Sequence, residues 1–210
     1  MVVFHTIVDL TDFFSYGLSY LNGFWYYEGK LSAILFMLIS GISGTMGRNS
    51  LRRGLIVLAA GMAITAVTYI YNQTTYIRFG ILHLLACGIL SYPLINKLPP
   101  GYLGIGGFLC ITAGNLLGQV RIANPCLLPL GLVTPNFVSL DYYPLLPWYG
   151  VILIGAATGK LLYPEKQPLF PRLPLVQPIS SLQYLGRHSL LIYLIHQPVL
   201  LAVLYVIHSI

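Results

Sequence analysis

Seven apolar runs fill most of this chain, separated by polar or Pro-rich stretches. The runs are Met1–Phe14, Leu31–Met46, Gly54–Tyr71, Phe79–Ile95, Tyr102–Gly118, Leu145–Tyr163 and Leu185–Ile207. None shows the period-two alternation of barrel strands, so each reads as a helix. Composition sharpens the point. Of 210 residues, 11 are Lys or Arg and 5 are Asp or Glu, a charged fraction of 8%. A soluble domain carries about 25%. So few charges cannot coat a soluble surface, which excludes a cytosolic enzyme and a disordered chain. The basic residues are scattered or in one short group, which excludes a nucleic-acid face. The expected fold class is all-α: a polytopic membrane helical bundle of about seven spans, with residues 1–210 forming a single domain.

Cys87 and Cys110 lie inside apolar runs and Cys126 in a loop, with no metal spacing, so they read as small packing residues. Met1 to Leu10 lacks a basic leader, and His5 and Asp9 interrupt its apolar run, so no cleavable signal peptide is expected. Gly155 with Gly159, and Gly114 with Gly118, have helix-packing spacing. Gly104, Gly106 and Gly107 follow no strand and make no dinucleotide loop.

Orientation follows from the basic residues. Arg48, Arg52, Arg53, Lys97, Lys160, Lys166, Arg172 and Arg187 fall on one face, and Lys30, Arg78 and Arg121 on the other. The positive-inside rule puts the larger set in the cytoplasm and the C-terminus outside. The expected location is the plasma membrane of a prokaryote. The first run is short: 14 residues at a rise of ~1.5 Å reach about 21 Å, against a core of ~30 Å. The expectation is that the native chain has residues upstream of Met1.

Ionisable groups at span depth cost around 2.5–3.5 kcal/mol each on insertion scales, so they point to a site. His5 and Asp9 are four apart and share a face, where the carboxylate could orient the imidazole as a general base. Arg78 opens the fourth run from outside and His83 lies five residues further in. Asn115 sits in the fifth run, as helix glue or as a substrate contact. Asp141 precedes Tyr142, Tyr143, Pro144, Pro147 and Trp148, at the outer mouth of the sixth. In the last run, His196 lies about 12 Å below Arg187 and His188, with Pro198 expected to kink the helix beside it. Together these residues are expected to converge between midplane and outer face. Arg48, Arg52, Arg53 and Arg187 at the basic rim could grip the phosphates of a donor.

Five segments resemble a known family. They are FHTIVDL at 4–10, LFMLISGISGTMG at 35–47, RFGILHLLACGIL at 78–90, DYYPLLPWYGVILIGAATG at 141–159 and LGRHSLLIYLIHQPVL at 185–200. In order and over nearly the whole chain, they are similar to the heparan-α-glucosaminide N-acetyltransferase catalytic-domain family, within the transmembrane acyltransferase superfamily. The resemblance implies a multi-span bundle that moves an acyl group, typically acetyl from acetyl-CoA, to a sugar or similar acceptor. It matches the superfamily's first-span His to His5, its fourth-span His to His83, its acid before the aromatic-proline motif to Asp141, and its last-span His to His196. Two departures stand out. The family's acidic and Arg-Gly signature would lie upstream of Met1. Larger members carry a proposed catalytic His after the first span, and the stretch from Ser15 to Glu28 has none.

The expectation is therefore an integral-membrane acyltransferase. Its catalytic residues are His5, Asp9, His83 and His196, and its substrate contacts are Arg78, Asp141, Trp148 and Asn115. The expected partners are membrane lipid, acetyl-CoA or another acyl-CoA as donor, and a sugar-like acceptor. No metal, haem or nucleic acid is expected, and a homo-oligomer stays open. The rival class is a transporter or channel-like protein using the intramembrane His and Asp residues without chemistry.

Overall fold

In the computed structural model six of the seven apolar runs each become one helix, and the last is divided between two. The structure describes residues 2–14, 16–122, 124–167 and 178–208, with side chains of the last segment described from 182 onward. Arg172 lies outside the described residues. The helices are α1 (Val2–Asp12), α2 (Phe24–Met46), α3 (Ser50–Tyr71), α4 (Ile81–Ile95), α5 (Pro100–Leu117), α6 (Leu145–Leu162), α7 (Pro178–Arg187) and α8 (Ser189–His208). Two isolated bridges, Phe79 with Tyr142 and Arg121 with Val133, lie in the loops. Helices α2, α3, α5, α6 and α8 are long and apolar enough to cross a membrane, while α4 is apolar but shorter. The protein is an integral multi-pass membrane protein.

The main differences from the sequence reading lie in α2, α3 and the last run, α3 starting at Ser50 rather than Gly54. Helix α2 starts at Phe24 rather than Leu31, because its first turns are aromatic (Phe24, Trp25, Tyr26, Tyr27) and Glu28 accepts a hydrogen bond from Ser32 one turn on, 2.9 Å. The last run is not one helix. It breaks at His188, whose Nδ1 lies 2.9 Å from the Tyr184 carbonyl and whose ring sits 4.3 Å from that of Tyr184. Helix α8 then continues unbroken through Pro198.

The chain divides into two compact units, Met1–Leu35 with Phe170–Ile210, and Phe36–Leu169. In the first, α1 and α8 run parallel: His5 meets His196, Asp9 meets Gln197, and Phe14 meets Tyr205 and His208. Gly29 of α2 gives room to the ring of Phe4.

In the second unit, glycine sets the helix spacing. Lipid tails are as apolar as leucine, so helices in a membrane associate through close packing of small residues. Gly155 and Gly159 of α6 abut Leu38, Gly41, Ile42 and Thr45 of α2, so these two helices run parallel. Gly107 faces Gly150, and Gly114 faces Pro147, which sets α5 antiparallel to α6. Gly61 lies against His83 and Gly54 against Leu90, which sets α3 antiparallel to α4. A core of Tyr92, Ile95, Leu103, Leu153, Ala156 and Ala157 joins α4, α5 and α6. The Tyr92 hydroxyl donates to the Ser40 carbonyl, 2.8 Å.

Helix α4 is tied at both ends, by Asp141 just ahead of α6 and by Lys160 in the last turn of α6. At its start, the Ile81 N–H donates to Asp141 Oδ2, 2.9 Å, and Gly80 leaves the space that carboxyl occupies. At its end, Lys160 Nζ donates to the carbonyls of Ile95 (2.9 Å), Asn96 (3.0 Å) and Leu98. Both ends of a helix carry backbone groups with no partner inside it, and these two side chains answer them.

Lys160→Met should lower stability by about 1–3 kcal/mol, the range for losing charged hydrogen bonds. Equilibrium unfolding in a fixed detergent measures this, and an unchanged midpoint would strip Lys160 of the role. Asp141 carries the second prediction. It stands outside the membrane-spanning helices, and burial lifts its carboxyl from 3.8 to about 6 while the Ile81 N–H pulls the other way. From pH 3.8 to about 6 the folded protein binds more protons than the unfolded chain. Stability therefore falls as pH rises through that window and levels off above it. Asp141→Asn keeps an acceptor for Ile81 without a charge to bury. Its thermal stability relative to the wild type should climb across the same window and then stay flat; a gap insensitive to pH would contradict the burial argument.

Candidate active site

Helix α1 presents His5 and Asp9 on one face, and α8 answers with His196 and Gln197. Asp9 is 1% exposed. Gln197 Nε2 donates to its Oδ1 at 2.6 Å. The His5 and His196 rings meet edge-on, centroids 5.0 Å apart and planes at 63°. The structure thus joins Asp9 to Gln197 and His5 to His196. His196 Nδ1 is bonded to the Tyr193 carbonyl. That oxygen can only accept, so the neutral ring carries its hydrogen on Nδ1 and a lone pair on Nε2.

Three atoms of this cluster are buried and take no hydrogen bond from any described residue: His196 Nε2, Asp9 Oδ2 and Gln197 Oε1. All three are acceptors, the Gln197 oxygen following from its amide nitrogen's bond to Asp9. A buried polar atom left unpaired costs about 1–3 kcal/mol. The cluster is therefore suited to a group that brings hydrogen-bond donors, such as a hydroxyl, an amine or water. Gln197 was not singled out from the sequence. The signal was there: an amide in an apolar run, next to His196 and just before Pro198.

The other expected site residues belong to the second unit. His83 is buried at the start of α4. The Gly80 N–H donates to its Nδ1 at 3.3 Å, and its Nε2 lies 3.4 Å from Thr65 Oγ1 of α3. Nδ1 accepts, so the neutral ring holds its hydrogen on Nε2, toward Thr65. Both nitrogens are engaged, and the residue links α3 to α4. The Asp141 carboxyl is engaged as the cap of α4. Trp148 packs edge-on against Tyr143, 5.3 Å between centroids. Burial pushes the Tyr143 hydroxyl, outside the spanning helices, up to about 12, with the Asp141 charge adding to the effect. Asn115 is exposed on α5. Arg78 lies against the rings of Tyr76 and Phe137.

Arg48, Arg52, Arg53 and Arg187 are exposed. Arg53 lines a small polar recess with Ser40, Ser43, Ser50 and Tyr92, where α2 ends and α3 begins. Among the described residues no three His, Cys, Asp or Glu side chains gather as a metal site would require.

The sequence matches the family described as heparan-alpha-glucosaminide N-acetyltransferase, catalytic, over residues 1–198. No curated protein and no solved structure matches the chain significantly. The matched span takes in every helix of both units up to Pro198, including both histidines of the α1–α8 cluster and the Asp141 and Lys160 clamps on α4. The chain belongs to the heparan-alpha-glucosaminide N-acetyltransferase catalytic family of membrane acetyltransferases.

Proposed function

We propose that the protein transfers an acetyl group from an acyl-CoA thioester to a hydroxyl or amine of a sugar-like acceptor. The single observation that carries the site assignment is the trio of buried, unpaired acceptors on Asp9, His196 and Gln197. His196 Nε2, with its lone pair free, would take the proton from the acceptor group. Asp9 Oδ2 and Gln197 Oε1 would receive its remaining donors, and the His5 ring would hold His196 in place. The acceptor atom bonds to the thioester carbonyl carbon, the carbon–sulfur bond breaks, and the thiolate leaves with the proton held at His196. Arg48, Arg52 and Arg53, where α2 ends and α3 begins, would draw the donor's phosphates from the cytoplasmic side, and Arg187 is proposed for the same role by its charge alone. In this orientation the C-terminus faces outward. His83 would act by fixing the start of α4, and Asp141, Trp148 and Asn115 would belong to the acceptor side.

Full-length protein in liposomes, given acetyl-CoA and a panel of sugars and amino sugars, should release free thiol together with acetylated product. His196→Ala should lower kcat by about 100-fold or more, the ordinary contribution of a general base. His5→Ala and Asp9→Asn should also reduce it. Acetyl transfer at wild-type rate in His196→Ala would rule out the base. Solute flux through the liposomes with no thiol released would favour the transporter class instead.

A further inference from the structure

Arg78 meets no counter-ion among the described residues. No hydrogen bond or ion pair joins its side chain to any described residue, and its Nε is buried. A guanidinium carries five N–H donors; here the Nε donor is buried without a partner, and no described residue takes up the other four. The carboxyl of Asp141 is already engaged with the Ile81 N–H.

The side chain is nonetheless held. Its Cζ lies 4.9 Å from the centroid of the Tyr76 ring and 5.3 Å from that of Phe137. Each ring is braced from behind: Tyr76 by Tyr69, centroids 5.0 Å apart, and Phe137 by Tyr142, 4.7 Å. The Tyr142 hydroxyl donates to the Leu128 carbonyl, 2.7 Å. The two loops that carry the rings are stitched together. Leu140 N–H donates to the Thr75 carbonyl (2.8 Å), Ser139 Oγ to the Tyr76 carbonyl (3.1 Å), and Tyr143 N–H to the Phe79 carbonyl (3.0 Å). A snorkelling arginine at a membrane surface keeps its head free in water. Arg78 is instead held against two braced rings, with Nε buried and no described residue pairing its fork. A preorganised guanidinium of this kind pairs two N–H groups with two oxygens of an oxyanion, and does so with little further loss of freedom.

We propose that Arg78 is the receptor for an oxyanion, a carboxylate, sulfate or phosphate, at the end of the bundle where α4 begins. Two sources carry that chemistry: an acidic group on the acceptor molecule, or the headgroup of an anionic lipid. Naming the acceptor as bearer rests on the acetyl-transfer reading; the anion site itself does not.

The test uses the full chain in lipid nanodiscs without any acyl donor, with thermal unfolding as the readout. In zwitterionic discs, sulfate and glucuronate are titrated against a matched chloride series. In a second arm, discs containing an anionic phospholipid are compared with zwitterionic ones. The unfolding temperature should rise by a few degrees in at least one arm. Arg78→Met, which keeps the apolar stem, should abolish the rise. Arg78→Lys, which keeps the charge over the rings without the fork, should lose at least half of it, and it serves alone if the Met variant does not fold. A rise with soluble anions assigns the site to the acceptor, and a rise confined to anionic discs assigns it to a headgroup. No rise in either arm, or an undiminished rise in both variants, overturns the proposal. Acetyl transfer is assayed separately on the same preparations. Its absence beside an Arg78-dependent rise would sink the enzymatic reading and leave the anion site standing.

Discussion

A helix that ends within reach of a bilayer must find partners for its terminal N–H and C=O groups, and α4 finds them at the two ends of α6. Its 15 residues span about 22 Å, short of a ~30 Å core. Asp141 answers one end and Lys160 the other, so a short helix is made viable by charges that a longer helix carries beside it. The antiparallel packing of α3 onto α4 and the placing of His83 follow from that arrangement. So does the braced loop pair around Arg78, which leads directly into the capped end.

The bundle architecture was legible in the residues, because length and hydropathy are local properties. Every apolar run is helical, the last with one break, and the Gly155/Gly159 spacing marks a true helix contact. The boundaries were less legible. The aromatic start of α2 falls outside the apolar run, since Glu28 breaks the apolar count although its carboxylate is met by Ser32 one turn away. The break at His188 lies near the start of the last run, where Arg187, His188 and Ser189 interrupt it for only three residues.

The individual polar partnerships could not be read locally at all. Asp9 lies 188 positions from Gln197, and Lys160 lies 65 from Ile95. Helical spacing pairs His5 with Asp9, and they do share a face. That face meets α8, whose own polar groups then compete for them: Gln197 takes the carboxylate and His196 takes the imidazole. Sequence spacing finds which residues are expensive to bury, and tertiary packing decides which of them satisfy one another. What remains unsatisfied afterwards, at His196, Asp9 and Gln197, is the better guide to a binding function than the bare presence of ionisable groups.

The double clamp on α4 also restricts how the second unit can move. Sliding α4 along α6 by one helical turn, about 5.4 Å, would unpair Asp141 and Lys160 together. The loss at Asp141 would fall in a buried, low-dielectric setting, where an unpaired charge is most expensive. A piston stroke of α4 is thereby closed off as a working motion. Any gating in this unit has to come from its loops or from the helices that lack such clamps.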